Sequence, residues 1–237
     1  MGSLRRLGRR VGVFWDVDGT LSDSSSLGLR ATNAVLAGHA LQPVTLAQYH
    51  AGTKFPTAER FSWHLSGAFS DPMGARLGRQ FDDLHLDMVN EQTTGFYPGI
   101  TEMLLEVVEE ARGEVVYAAL SNGCGEYVRR VLACSGLAHL FPLQLGADEV
   151  PRAKPRPEGL QLLASRLAIP ARHCLYIGDS PTDGAAARAA AMGGMGVAWG
   201  AHGGAELTPA FPTVVDTPGQ LKEAILGHID NMHREKS

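Results

Sequence analysis

The chain has little of what marks several large classes of protein. It contains only three cysteines, and no two of them stand in a CxxC pair. This spacing predicts neither a zinc site nor a disulfide framework, and it fits reduced thiols in a cytosol-like compartment. No apolar run approaches the length of a membrane-spanning helix. We therefore expect a cytoplasmic protein that has no membrane partner.

An excess of charge is also missing. The net charge is −4 and the isoelectric point is near 6.1, so electrostatics give no reason to expect a nucleic-acid partner. The N-terminus is a local exception, because Arg5, Arg6, Arg9 and Arg10 are close together. We interpret these arginines as a solvated, frayed tail. A remnant of an organelle-targeting peptide is the alternative, although the segment is short and poor in serine for such a peptide.

Apolar residues, in contrast, are plentiful. They make up 44% of the 237 residues, which is enough for one domain with a sizeable core, or for one domain with an insertion. Short apolar runs alternate with helical patterns, which predicts a doubly wound α/β fold whose sheet is mostly parallel and Rossmann-like. The predicted strands are residues 11–15, 115–120, 143–145, 174–177, 195–199 and 213–215.

A helical insertion interrupts this alternation after the first strand. Residues 22–95 contain stretches of helical periodicity separated by glycine and proline, and they contain no convincing strand. We therefore predict that residues 1–21 and 96–237 form the core domain and that residues 22–95 form a helical domain. The passages at 22–26 and 93–98 would connect the two as hinges.

Two aspartates follow the first predicted strand, Asp16 directly and Asp18 in the turn that Gly19 introduces. Carboxylates this close repel each other unless a cation or a shared proton relieves them, and a hard divalent ion such as Mg²⁺ suits oxygen ligands. An Asp-Gly turn alone is common. The full pattern Asp-x-Asp-Gly-Thr arises by chance in only about a few in a thousand chains of this length. We interpret it as a ligand site at the carboxyl end of the sheet.

Further polar residues stand near the ends of later elements. Ser121 and Asn122 separate the second strand from a helix, Lys154 precedes a helix with proline at its start, and Asp179 and Asp183 follow the fourth strand. Each group alone is ordinary, as a turn, a surface lysine or a helix cap. Together, carboxylates for a cation, a hydroxyl at a helix start and one lysine are what a metal-bound phosphoryl group requires.

These motifs, in this order, resemble those of the haloacid dehalogenase superfamily. They read Asp16-Val17-Asp18-Gly19-Thr20, Leu120-Ser121-Asn122-Gly123, Lys154-Pro155 and Gly178-Asp179-Ser180-Pro181-Thr182-Asp183. The resemblance covers residues 11–215. The helical insertion is similar to the cap of the phosphoglycolate phosphatase-like branch, and so are the stretches Asp23-Ser24 and Val197-Ala198-Trp199-Gly200.

The resemblance implies roles for the first motif. Asp16 would be the nucleophile, which forms an aspartyl-phosphate, and also a ligand of Mg²⁺. Asp18 would act first as the general acid and then as the base for the attacking water, and its backbone carbonyl would bind the metal. Gly19 would lie among the phosphate-binding residues.

The resemblance also implies roles for the later motifs. Ser121 and Asn122 would bind phosphate, and Lys154 would stabilise both the transferring group and Asp16. Asp179 would bind Mg²⁺, and Asp183 would support the water shell of the metal. The Mg²⁺ ion would act as a template and would neutralise charge.

The implied function is a Mg²⁺-dependent phosphatase for a small phosphorylated metabolite, a phosphoglycolate-like phosphomonoester. A phosphosugar mutase is one alternative, but mutases usually carry Ser-Ala-Ser where this chain has Ser121-Asn122-Gly123. A true dehalogenase needs neither Asp18 nor a metal. A non-catalytic binding protein of the same fold would be expected to have lost a carboxylate or the lysine, and this chain retains all of them.

Two cations in the insertion are candidates for substrate selection. Residues 52–56 have glycine and proline at their edges, and we expect a loop roughly where capped members of the family present a specificity loop. Lys54 or Arg60 could then supply a positive charge for an anionic leaving group such as a carboxylate. Solvated surface charges are the alternative interpretation for both residues.

Overall fold

A six-stranded parallel sheet organises the computed structural model, which describes residues 10–234. Its strand order is β3-β2-β1-β4-β5-β6, and all five pairings are parallel. The α/β fold predicted from the sequence is confirmed. The predicted tail of Arg5, Arg6 and Arg9 lies outside the described residues. The strands are β1 (Val11–Trp15), β2 (Val115–Leu120), β3 (Leu143–Leu145), β4 (Cys174–Gly178), β5 (Gly193–Val197) and β6 (Thr213–Val215).

Strand β1 lies at the centre of the sheet and positions the site. All five of its residues are buried, and Val13 lies beside Tyr117 of β2 on one side and Leu175 of β4 on the other. A strand covered on both faces has no solvent-facing side, which explains the continuous apolar run. Because β1 ends at Trp15, Asp16 is the first residue beyond the sheet. The chain continues from there to the carboxyl edge, where ligands bind in open α/β sheets.

Helices cover both faces of the sheet. Val13 and Trp15 of β1 belong to one hydrophobic cluster with residues of α5, α6 and α10, and Phe14 belongs to another with residues of α7 and α8. None of the helices within residues 10–234 combines the length and apolarity needed to cross a membrane. The helices are α1 (Ser25–Gly38), α2 (Leu46–Thr53), α3 (Thr57–Ser66), α4 (Pro72–Met88), α5 (Ile100–Glu110), α6 (Gly125–Cys134), α7 (Glu158–Leu167), α8 (Pro181–Ala189), α9 (Gly204–Leu207) and α10 (Pro218–Arg234).

The predicted insertion contains four helices, α1 to α4, which follow β1 directly. Helices α1, α3 and α4 share a small hydrophobic cluster of their own, which includes Leu36 of α1, Phe61 of α3 and Phe81 of α4. The two passages that connect the insertion to the core run side by side, because Ser22 forms an antiparallel bridge with Phe96. The separate cluster and the paired connection support the proposed division into core and cap. The limits of the cap at residues 22 and 95 stay a prediction.

Helix α2 corrects the sequence-based interpretation of residues 52–56. The sequence suggested a loop there, but Gly52 and Thr53 form the last turn of α2, and only residues 54–56 lie outside a helix. The helix begins at a capping box, in which the Thr45 hydroxyl accepts from the Gln48 backbone and the Gln48 side chain accepts from the Thr45 backbone. Only two of its residues are buried, so the apolar periodicity was too weak to reveal it.

Two other boundaries differ from the prediction. Strand β5 begins at Gly193 and ends at Val197, two residues earlier than predicted. Three of its five residues are glycine, which has no apolar side chain to indicate a strand in the sequence. A Cβ atom at Gly196 would lie 2.9 Å from the Phe211 ring, so the small residue lets this ring pack against the strand. The apolar pattern that begins at Pro218 predicts a last helix that ends near residue 228, but this helix continues to Arg234.

Candidate active site

One cavity of about 70 Å³ lies between the carboxyl edge of the sheet and the inserted helices. Nearly all of the residues predicted to form the site line it, although they come from distant parts of the sequence. Gly19 and Lys54 are the two predicted site residues that do not line it. The predicted residues that do are Asp16, Asp18, Arg60, Ser121, Asn122, Lys154, Asp179 and Asp183.

Lys154 joins two carboxylates beneath this cavity. Its Nζ donates to Asp16 Oδ1 over 2.8 Å, to Asp183 Oδ1 over 2.7 Å and to the Tyr176 hydroxyl over 2.8 Å. Lys154 and both carboxylates are buried. Burial alone would lower the pKa of Lys154, but attraction to Asp16 and Asp183 outweighs it and raises that pKa. The lysine is therefore a permanent positive charge beside Asp16.

Asp179 completes a cluster of three buried carboxylates with Asp16 and Asp183. One oxygen from each residue lies within 4.8 Å of the others. Burial, and then repulsion by Asp183, raise the pKa of Asp16 well above its ordinary value and the pKa of Asp179 to about 7. Lys154 contacts only two of these three carboxylates, Asp16 and Asp183. The cluster therefore suits a divalent cation such as Mg²⁺, which would relieve the repulsion among its hard oxygen donors.

Two glycines allow loops to approach Asp179 closely. Gly19 has a φ of +76°, and a Cβ atom there would lie 2.2 Å from Asp179 Oδ2. A Cβ atom on Gly200 would be equally close to the same oxygen, and the adjacent Ala201 N–H donates to it over 2.6 Å. Trp199 holds the two loops together, because its indole N–H donates to the Thr20 carbonyl. The structure thus places Gly19 against the carboxylate of Asp179.

Asp18 accepts hydrogen bonds from three hydroxyl groups. Ser24 donates to Oδ1 over 2.6 Å, Tyr127 donates to the same oxygen over 2.5 Å, and Ser121 donates to Oδ2 over 3.1 Å. Ser24 directly precedes helix α1, but its side chain does not cap the helix, because the hydroxyl is bound to Asp18. No motif in the sequence marks Tyr127, which on the helical pattern of α6 is simply one more buried residue.

Asn122 fixes the backbone around Lys154. Its Oδ1 accepts from the Lys154 N–H over 3.0 Å, and its Nδ2 donates to the Lys154 carbonyl over 3.1 Å. The same Nδ2 also reaches the Lys54 carbonyl at 3.3 Å, so the amide connects the lysine loop to the insertion. This two-sided contact holds the lysine segment at the edge of the sheet.

The two predicted cations of the insertion have different surroundings. The Arg60 side chain is buried and lines the cavity, next to the rings of Tyr49 and Phe81. The Lys54 Nζ lies 5.1 Å from the centre of the Phe55 ring, and the residue is only half-buried. The alternative interpretation of a solvated surface charge is therefore wrong for Arg60.

Known proteins are similar to this chain over most of its length. The profile of the haloacid dehalogenase-like hydrolases matches residues 13–197. A phosphoglycolate phosphatase of Xanthomonas campestris is 29% identical over 217 residues, which cover 89% of this chain and 94% of that protein. A phosphoglycolate phosphatase of Xylella fastidiosa is 30% identical over 215 residues, which cover 88% of this chain and 90% of that protein.

Solved structures share the fold. A hydrolase from Pseudomonas syringae superimposes with a TM-score of 0.76 at 22% identity and covers 94% of this chain and 99% of its own. CbbY from Rhodobacter sphaeroides, solved in complex with phosphate, gives a TM-score of 0.73 at 19% identity over 90% of this chain and 96% of its own. The chain therefore belongs to the haloacid dehalogenase-like hydrolases, in their phosphoglycolate phosphatase-like branch.

Proposed function

We propose that the protein is a Mg²⁺-dependent phosphatase that hydrolyses a small phosphorylated metabolite through a phosphoryl group carried on Asp16. The observation that carries this proposal is the contact of Lys154 Nζ with Asp16 Oδ1, at the edge of a cluster of three buried carboxylates. A nucleophilic carboxylate needs a fixed neighbouring cation, because the approaching phosphoryl group adds further negative charge. Lys154 supplies that charge at a fixed distance.

The donor set fits the metal that the family implies. Asp16, Asp179 and Asp183 would hold Mg²⁺, because these buried oxygens repel one another without a cation. When bound, the ion would neutralise part of the charge on the phosphoryl oxygens. Asp183 already accepts from both Lys154 and the Ser180 N–H, so this chain fixes its orientation.

The chemistry of the chain's own residues can be written as two displacements. Oxygen of the Asp16 carboxylate attacks phosphorus, the bond between phosphorus and the leaving oxygen breaks, and Asp18 gives that oxygen a proton. Water then attacks phosphorus, Asp18 takes the proton back, and the bond to Asp16 breaks to release phosphate. Ser121, whose hydroxyl now donates to Asp18 Oδ2, also lines the cavity and would bind phosphate.

The cavity favours a small substrate. Its volume of about 70 Å³ is well below the roughly 300–1,000 Å³ typical of pockets for drug-sized ligands. The curated relatives named phosphoglycolate phosphatases support a compact phosphomonoester as the class to test first. Neither a nucleic-acid partner nor a membrane partner is expected, and a cytoplasmic location stays a prediction.

The test is release of inorganic phosphate from a panel of small phosphomonoesters, with Mg²⁺ and with EDTA. We expect release that depends on Mg²⁺, that EDTA abolishes, and that added Mg²⁺ restores. Asp16→Asn is the matched control, because it removes one charge and leaves the side-chain size unchanged. A folded protein that releases no phosphate from any member of the panel would contradict the proposal and favour a non-catalytic binding protein.

A further inference from the structure

The Tyr176 hydroxyl lies between the Lys154 ammonium and the end of strand β2. Tyr176 belongs to strand β4, and its ring is fully buried in the hydrophobic cluster that also contains Phe14. A hydroxyl group in such a place costs free energy unless hydrogen bonds satisfy it. This one contacts Lys154 Nζ at 2.8 Å and the Leu120 carbonyl at 2.9 Å. The hydroxyl therefore joins the apolar core to the site.

The chemistry of these two partners fixes the direction of both hydrogen bonds. An ammonium group only donates and a backbone carbonyl only accepts, so the Tyr176 oxygen accepts from Lys154 and its proton goes to Leu120. Asp183 Oδ1 lies farther from the hydroxyl, at 3.4 Å, and the single proton cannot serve it while it is bound to Leu120. Tyr176 is therefore a neutral acceptor for the lysine.

The Tyr176 oxygen is the third acceptor of an ammonium group that has three N–H bonds. The other two acceptors are Asp16 Oδ1 at 2.8 Å and Asp183 Oδ1 at 2.7 Å. Two acceptors would leave the ammonium free to rotate about the line between them, whereas three fix its position. A further carboxylate could also be the third acceptor, but it would add negative charge to a cluster that already contains three. A neutral hydroxyl fixes Lys154 without adding to that repulsion.

The same hydroxyl connects Lys154 to the strand end that carries Ser121. Strands β2 and β4 lie on opposite sides of β1 in the sheet, so the Tyr176 side chain reaches across β1 to bond Leu120, the last residue of β2. Ser121 follows directly, and its hydroxyl donates to Asp18 Oδ2. Tyr176 therefore holds the lysine in a fixed position relative to the serine that would bind phosphate.

From these contacts we infer that Tyr176 is a positioning residue of the reaction, whose hydroxyl holds the Lys154 ammonium against Asp16. This inference rests on the proposed function and makes one part of it more specific. A phosphoryl group on Asp16 turns that carboxylate into an uncharged ester, which is a weaker acceptor for the lysine. Asp183 and Tyr176 remain as acceptors, so Lys154 stays in place for both displacements.

A purely structural role for the hydroxyl predicts a different behaviour. Lys154 acts on charge that develops during phosphoryl transfer, so a displaced lysine should slow turnover without weakening the binding of substrate. The loss of a hydrogen bond that only stabilises the core would lower the melting temperature and leave kcat of the folded protein unchanged. Measurements of kcat, of KM and of the ammonium group itself therefore separate the two roles.

The experiment removes the hydroxyl from two buried tyrosines in turn. Tyr176→Phe keeps the ring in the core and removes only the bonds to Lys154 and Leu120. Tyr117→Phe is the matched control, because Tyr117 is also a buried strand residue whose hydroxyl donates to a leucine carbonyl, that of Leu104. Steady-state kinetics on the best substrate of the phosphomonoester panel, with Mg²⁺, give kcat and KM. Melting temperatures establish that each variant is folded.

Nuclear magnetic resonance of the lysine side chains observes the ammonium group directly. The chain contains only four lysines, and among those that the structure describes Lys154 alone is buried. With ¹⁵N at Nζ, wild type should show one ammonium whose protons exchange slowly with water, because all three are hydrogen-bonded. In Tyr176→Phe one N–H loses its acceptor, so exchange should be faster by roughly tenfold or more. A cross-peak between these protons and the Tyr176 hydroxyl proton identifies the contact in wild type.

We expect kcat of Tyr176→Phe to fall roughly tenfold or more, as the loss of a hydrogen bond to a charged group predicts, while KM stays within about twofold. Tyr117→Phe should keep both constants within about twofold of wild type and leave the ammonium signal unchanged, although it also loses a buried hydrogen bond. If Tyr176→Phe does not fold, the wild-type cross-peak decides the matter. Its presence supports the inference and its absence overturns it.

Two further outcomes overturn the inference while leaving the phosphatase proposal intact. One is an active wild type together with a folded Tyr176→Phe whose kcat is no lower than that of Tyr117→Phe. The other is a folded Tyr176→Phe that turns over slowly but shows unchanged ammonium exchange, because the hydroxyl would then not act through Lys154. Loss of the proposed function itself looks different, because wild type would release phosphate from no member of the panel in the presence of Mg²⁺.

Discussion

The Tyr127 hydroxyl donates a hydrogen bond of 2.5 Å to Asp18 Oδ1, although the two residues stand 109 positions apart in the chain. The ring of Tyr127 also stacks on His85 of the inserted helix α4, with 4.4 Å between ring centres and 21° between planes. Burial and the neighbouring Asp18 raise the pKa of Tyr127 well above its ordinary value, so the hydroxyl keeps its proton. Tyr127 therefore couples the orientation of Asp18 to the position of the insertion.

Tyr127→Phe should lower kcat and leave KM within about twofold, because the ring still stacks on His85 and only the bond to Asp18 is lost. A hydrogen bond to a charged group contributes about 1.5–3 kcal/mol, so kcat should fall by roughly tenfold to a hundredfold. Steady-state kinetics measure both constants. Tyr117→Phe is the matched control, since Tyr117 is a buried tyrosine that donates to the Leu104 carbonyl in the core. Equal kcat in the two variants would mean that Tyr127 does not position Asp18.

His85 should make the protein sensitive to acid. The pKa of His85 is about 4 in the folded state, because burial and the charge of Arg60 oppose protonation more strongly than Asp18 favours it. In the unfolded chain the pKa is near 6.5. The unfolded state therefore binds more protons between pH 6.5 and 4, and stability falls as the pH is lowered through that range. The loss amounts to about 3 kcal/mol. The loss should be smaller by about this amount in His85→Phe, which keeps a ring against Tyr127, while His64, whose pKa burial also lowers to about 4, still contributes.

Urea unfolding at pH 7 and pH 4.5 measures this difference. His139→Gln is the control, because His139 is exposed, and it should lose as much stability as wild type does. If His85→Phe also loses as much as wild type, protonation of His85 does not limit stability in acid.

Lys154→Met should destabilise the fold strongly in the presence of EDTA. The substitution leaves Asp16 and Asp183 buried without their shared cation, and breaking a buried pair from one side costs about 3–5 kcal/mol. Denaturant unfolding measures the change. Lys222→Met is the control, since Lys222 also pairs with two carboxylates, Glu106 and Glu110, but on the surface, where we expect little change. Equal losses in the two variants would argue against Lys154 as the compensating charge.

Asp179→Ala should weaken Mg²⁺ binding by roughly tenfold or more, since it removes one of three clustered carboxylates. Calorimetric titration of the folded variant with Mg²⁺ measures the affinity. Asp82→Asn serves as the control, because Asp82 lines the same cavity outside the cluster and should leave the affinity unchanged. Unchanged affinity in Asp179→Ala would place the metal elsewhere.

Much of the fold could be predicted because the core is built from short, fully buried strands. Strands β1 and β2 have no exposed residue, so their apolar runs stand out in the sequence. The predicted bounds of strand β5 lie two residues too late, because glycine has no apolar side chain that indicates a strand. Helix α2 was missed because its cap is made by polar residues and few of its side chains are buried.

The site could be predicted only where a residue stands in a recognisable motif. Asp16 and Asp179 are such residues, and the parallel sheet brings them to one edge. Tyr127 contacts Asp18, and His85 contacts Tyr127, through tertiary packing that leaves no local pattern in the sequence. Likewise, nothing in the sequence separates the buried Arg60 from the half-buried Lys54, because burial depends on the rings that surround each side chain.

The most direct test of the account is to look for the phosphoryl group on Asp16. In Asp18→Asn, transfer from an activated substrate should proceed and hydrolysis should stall, because the base for water is missing. Rapid quenching after mixing with labelled p-nitrophenyl phosphate and Mg²⁺ should leave label on the protein. Mass spectrometry should locate it at Asp16, and Asp16→Asn/Asp18→Asn should carry none. A folded Asp18→Asn protein that binds Mg²⁺ but carries no label, or carries it on another residue, would contradict the central claim.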